Sequence, residues 1–141
     1  MKILAVDYGD SRTGIAVCDK NEVLASPCGQ IESKSMDRTC EAVCEAAARE
    51  GAEMIVVGLP LNMNGTEGPR AEKTRKFIGM LEFRCGLPVV PWDERGTTIT
   101  ATYYMNQTNT RGKKRKAVLD SASAVVILEN YLEYRKNKGL S

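Results

Sequence analysis

Apolar and polar positions change period several times along the chain, and each change marks an element. Ile3 to Val6 is an unbroken apolar run that stops at Asp7-Tyr8-Gly9, the length and ending of a buried central strand. After the turn Asp10-Ser11-Arg12, Thr13 to Asp19 reads as a second strand. Beyond Lys20-Asn21-Glu22, Val23 to Ala25 begins a third strand, which Pro27 and Gly29 are expected to interrupt. The pattern then turns helical. Met36, Cys40, Val43, Cys44 and Ala47 recur at helical spacing between Ser35, a natural N-cap, and Gly51, a natural stop. Met54 to Leu59 is strand-like again, and Pro60 to Pro69 is a polar loop rich in Asn and Gly. A helix is expected from about Arg70 to Arg84, closed by Gly86, and Pro88 to Trp92 is the last strand. Thr97 to Asn106 reads as a short helix and Gln107 to Lys116 as a polar, basic loop. Ala117 to Arg135 closes the chain as a helix with Val118, Ala122, Val125, Leu128 and Leu132 along one side.

The order β-β-β-α-β-α-β-α-α predicts an α/β protein: a mixed five-stranded sheet, three antiparallel strands followed by βα units, with helices on its faces. No repeat, linker or low-complexity tract divides residues 1–141, so a single domain is expected. Composition narrows the chemistry. The chain contains no histidine, which removes Ser-His-Asp triads, Cys-His dyads and HExxH zinc sites together. Lys and Arg number 20 against 18 Asp and Glu, so net charge says little and its distribution matters more. The five cysteines form no CxxC pair; Cys40 and Cys44 read as small residues facing a core. With no disulfide framework, no signal peptide and no apolar stretch near the ~20 residues of a membrane span, a reduced, cytoplasmic protein is expected.

An enzyme without histidine has carboxylates to work with. Asp7 ends a buried strand, where a charge is costly unless paired, solvated or used. Asp93 and Glu94 end the last strand, and Asp120 lies near the start of the closing helix beside the small residues Ser121 to Ala124. Each alone has a bland account as a turn or helix-dipole residue. Together, acids at element ends point to an all-oxygen site of the kind Mg²⁺ or Mn²⁺ prefers. If the last strand stays extended, Asp93 shares a face with Val89 and Pro91, and Glu94 with Val90 and Trp92, so only one of the two faces a given site. The run Arg111-Gly112-Lys113-Lys114-Arg115-Lys116 leads into the helix bearing Asp120, a placement that favours phosphate binding over a merely solvated segment.

These residues resemble a known family. D-Y-G-x-x-R-x-G-x-A at 7–16, G-L-P-L-N-M-N-G at 58–65, D-E-R at 93–95 with Thr97-Thr98, and K-x-x-x-D-x-x-A at 116–123, read with Ala124 in the small-residue slot that Ser123 leaves open, are similar to the YqgF family, over nearly the whole chain and in order. Its members are known as Holliday-junction resolvases and pre-16S ribosomal RNA processing nucleases. The resemblance implies a ribonuclease H-like fold and a catalytic, metal-holding trio of Asp7, Glu94 and Asp120. Arg12, Asn62, Arg95 and Lys113, Lys114, Arg115 and Lys116 would then contact nucleic acid, with ribosomal particles as further partners. Gly96 departs from the family's bulky apolar residue at that position. Precursor rRNA and branched DNA both stand as substrates at this point, as does a non-catalytic nucleic-acid-binding role. A related actin-like ATPase would need a second lobe for which 141 residues leave no room.

Overall fold

The computed structural model describes residues 1–93 and 112–140, with the stretch 112–121 described as backbone only. Its strands are β1 (Ile3–Asp7), β2 (Arg12–Cys18), β3 (Ala25–Glu32), β4 (Met54–Leu59) and β5 (Val89–Asp93). The helices are α1 (Met36–Glu50), α2 (Pro69–Cys85) and α3 (Gly112–Asn137). The strands form one sheet in the order β3-β2-β1-β4-β5. β1 pairs antiparallel with β2, and β2 with β3, while β1, β4 and β5 run parallel. This is the expected mixed sheet. The expected short helix at 97–106 lies outside the described residues.

Two expectations need correction. β3 does not stop at Pro27 but runs through it and Gly29 to Glu32. It is an outer strand, where a missing N–H is tolerated. The pairing steps from Ile15 opposite Gly29 to Ala16 opposite Pro27, so Cys28 is an extra, bulged residue. The second correction concerns the basic run. Gly112 to Lys116 is not loop but the opening of α3. Lys and Arg are strong helix formers, and no breaker separates them from the apolar helix that follows.

Alternation along the strands sends side chains to two cores. Leu4, Val6, Ile55 and Val57 meet Cys40, Val43, Phe77 and Leu81 of α1 and α2 on one face. Ile3, Ala5 and Val56 meet Ala124, Val125, Ile127 and Leu128 of α3 on the other. Helix α3 runs antiparallel to β1. Its far end reaches the β2–β3 turn, where Arg135 pairs with Glu22 at 2.5 Å, so the helix extends back from there toward the carboxyl end of β1.

Cys44 of α1 and Cys85 of α2 form a disulfide, with Cα atoms 5.4 Å apart and 41 residues between them in sequence. Cysteine spacing predicts no such pair: neighbouring helices bring together two residues that no spacing rule connects. Cys40 is buried in the core as expected. Closing a loop over that 41-residue separation removes about 4 kcal/mol of unfolded-state entropy. Dithiothreitol should accordingly lower the thermal midpoint by about 10 °C. The Cys85→Ser protein should melt low with or without reductant. Equal midpoints for the oxidised and reduced wild type would show that the cross-link contributes nothing in solution.

Candidate active site

Strands β1, β4 and β5 end on the same edge of the sheet, and β2 begins there. Asp7 is the last residue of β1, half-buried and opposite Gly14. By alternation it shares a face with Ile3 and Ala5, the face that α3 covers. Its neighbour Tyr8 goes to the opposite face, where it is 7% exposed and stacks on Phe77 with ring centroids 4.2 Å apart. Burial pushes the Tyr8 hydroxyl above its ordinary pKa. The stack anchors the backbone immediately after Asp7.

The turn that follows is tightly built. A Cβ on Gly9 would lie 2.2 Å from the carbonyl oxygen of Arg12, so only glycine fits. The Gly9 N–H donates to the buried Thr13 hydroxyl at 3.4 Å. Arg12 opens β2 on this edge, its Nε 3.9 Å from Glu32. Its guanidinium therefore belongs to the same edge as Asp7.

On β5, Val89 joins the core under α1 and α2, whereas Val90 and Trp92 join the core under α3. The strand stays in register through Asp93, which pairs with Leu59. Alternation therefore puts Asp93 on the α1–α2 face, opposite to Asp7. Glu94 and Arg95 lie outside the described residues. Asp120 lies in the N-terminal half of α3, one turn before Ala124. Lys113, Lys114, Arg115 and Lys116 occupy the opening turns of the same helix.

The loop after β4 is a small closed hairpin. Leu61 bridges Glu67, the Asn62 N–H donates to the Thr66 carbonyl at 2.8 Å, and the Gly65 N–H donates to the Asn62 carbonyl at 2.8 Å. The Asn62 amide donates to the Thr66 hydroxyl at 3.0 Å, and that hydroxyl donates to Asn64 at 2.6 Å. Asn62 thus holds the loop together. Sequence reasoning missed a charged group beside it: Lys73 Nζ lies 2.5 Å and Arg70 Nη1 3.7 Å from the Asp10 carboxylate. The Lys73 hydrogen bond holds the Asp10 carboxyl below its ordinary pKa. The only signal in the sequence was a pair of cations three apart at the start of α2.

A five-stranded mixed sheet in this order, with an acid ending its middle strand and helices on both faces, is a ribonuclease H-like fold. The fold matches that of Thermus thermophilus RuvC, solved in complex with Holliday junction substrate: TM-score 0.64 over 99% of this chain and 98% of that one, at 14% identity. A model of the RuvX family, described as Holliday junction resolvase, matches residues 1–134, and the chain belongs to this family. The motifs at 7–16 and 58–65 belong to this family, and its members are hydrolases of phosphodiester bonds. A relative from Halothermothrix orenii, named "Putative pre-16S rRNA nuclease", is 40% identical over 135 residues, 96% of each chain. A relative of the same name from Agathobacter rectalis is 40% identical over 140 residues, covering 97% of this chain and 98% of its own. Among the described residues no helix is long and apolar enough to cross a membrane.

Proposed function

We propose that the chain is a metal-dependent endonuclease that trims the 5′ end of precursor 16S ribosomal RNA in the cytoplasm, with Asp7, Glu94 and Asp120 as its catalytic carboxylates. The observation that carries this reading is the placement of Asp7 at the carboxyl end of β1, on the face covered by α3. The donor set is all carboxylate, which suits Mg²⁺ or Mn²⁺ and suits no soft metal. Among the described residues no group of three His, Cys, Asp or Glu side chains is placed to hold a metal ion. When bound, such an ion supplies Lewis-acid activation of water and neutralises charge on the phosphodiester.

The chain's own residues do the rest. Asp7 contributes a fixed negative charge from a rigid strand end, where it needs no reorganisation. Arg12, on the same edge, and Arg95 hold the phosphate. Lys113 to Lys116 give the opening of α3 a run of positive charge that tracks the backbone without reading sequence. Asn62 keeps the hairpin after β4 in shape and has a second amide hydrogen for a sugar or phosphate oxygen.

The RuvC likeness favours a second substrate, a four-way DNA junction. One assay separates the two: a precursor 16S RNA and a DNA junction incubated side by side with the purified protein, with Mg²⁺ or with chelator. Cleavage of the RNA at the mature 5′ boundary is expected, and chelator should stop it while circular dichroism stays unchanged. Cleavage of the junction alone would transfer the proposal to DNA. Cleavage that survives chelation would remove the metal and the carboxylate trio with it.

A further inference from the structure

Among the described residues, seven large apolar side chains are markedly exposed: Met1, Val23, Leu24, Met63, Phe83, Tyr134 and Leu140. Six of them lie away from the site. Met1, Val23 and Leu24 are at the edge where β1 begins, Phe83 is in the last turn of α2, and Tyr134 and Leu140 are at the far end of α3. Met63 differs. It is 90% exposed and sits at the tip of the hairpin that leaves the carboxyl edge of β4, the strand beside β1 and Asp7.

The hairpin presents Met63 stiffly. Its stem is closed by the Leu61–Glu67 bridge, and its turn by the Asn62, Asn64, Gly65 and Thr66 hydrogen bonds described above. Its base is tied to α2 by the Arg75–Glu67 ion pair at 2.6 Å. Little conformational freedom is left to lose when the tip meets a partner. The positive groups at the same edge, Arg12, Arg70 and Lys73, would hold a phosphate backbone while the tip reaches past it. A flexible, polarisable thioether is one of the side chains that proteins insert between base steps. The wide, shallow minor groove of an RNA helix is open to a tip of this size.

We propose that Met63 is a wedge that enters the base stack of the bound nucleic acid beside the bond to be cut. This rests on reading the chain as a nuclease, and it deepens that reading by making the local stack part of what is recognised. The wedge opens one base step, which frees the neighbouring phosphate to settle at the carboxyl edge near Asp7. Met63 is a positioning residue and takes no part in bond breaking.

The test uses whichever substrate the side-by-side assay shows to be cut, synthesised with 2-aminopurine next to the scissile phosphate. Binding to Asp7→Asn protein should raise its fluorescence, as unstacking does. Adding Met63→Ala should cancel the rise. In the otherwise wild-type enzyme, Met63→Ala should lower kcat/KM about tenfold, and Met63→Leu should retain most of the rate. The salt dependence of binding should stay the same in all of them, and Phe83→Ala, equally exposed but remote, should match the wild type. A Met63→Ala enzyme with unchanged kcat/KM, or one whose complex still gives the full fluorescence rise, would overturn the wedge while leaving the nuclease reading intact. A wild-type protein that cuts neither substrate would remove the nuclease reading first and the wedge with it.

Discussion

Asp7→Asn should reduce cleavage by at least about a thousandfold, with the fold and substrate affinity largely retained. The rate follows from charge: the amide keeps the shape of the carboxylate but loses the negative charge that holds a divalent ion, and such an ion is worth several kcal/mol to the transition state. Retention of the fold follows from position. Asp7 ends β1 and is only half-buried, while the strand's stability comes from Ile3, Leu4, Ala5 and Val6, all fully buried. Glu94→Gln should behave like Asp7→Asn. Asp93→Asn should leave measurable activity, because register through the Leu59–Asp93 pair places Asp93 on the opposite face of the sheet. Single-turnover kinetics and thermal melts on the three variants check this ranking. A dead Asp93→Asn beside an active Glu94→Gln would reverse the assignment.

Glu22→Gln should destabilise the folded protein by about 3–5 kcal/mol, as removal of one partner from a buried ion pair does. The Glu22 and Arg135 side chains are only 8% and 7% exposed. Arg135 donates from Nε to Glu22 at 2.5 Å and from Nη2 to the Leu140 carbonyl at 3.1 Å, and the Met1 ammonium lies 3.2 Å from the second carboxylate oxygen. With the glutamate gone, the guanidinium stays buried without its charge partner. The Arg135 hydrogen bond, ahead of all other causes, holds the Glu22 carboxyl below its ordinary pKa. The sign is then fixed: the pair's stabilisation is complete above the unfolded-state pKa of about 4.3 and is lost as pH falls through the lower native value. Urea unfolding from pH 7 down to pH 3 should show a steeper acid limb in the wild type than in Glu22→Gln. Parallel limbs would mean that the carboxylate does not carry the effect.

The sheet was readable because its strands are short apolar runs with clear stops, and Asp7 stood out as an acid ending one of them. The face of Asp93 was readable too, since alternation needs only an extended chain, and β5 is extended through that residue. What escaped the sequence depends on tertiary neighbours. Pro27 and Gly29 look like breakers until β3 is known to lie at the margin of the sheet. The cations at 113–116 look like loop until the helix behind them is seen to begin at Gly112. Asp10 and Lys73 are 63 residues apart and meet only because α2 starts beside the turn after β1. The same holds for Cys44 and Cys85, which α1 and α2 bring side by side.

Both outer strands carry a proline within their span, Pro27 in β3 and Pro91 in β5, and β3 adds the bulge at Cys28. Neither margin therefore offers an unbroken ladder of amide donors to a second molecule, which is how natural sheets resist edge-to-edge aggregation. Among the described residues, both margins are therefore poor templates for fusing the sheets of two copies into one continuous layer. A pairing of protomers to make matched cuts on a two-fold symmetric substrate is better built from helix faces or loops. The interface that sets the spacing between two active sites is then made of side chains, which evolution can retune without touching the sheet that holds Asp7.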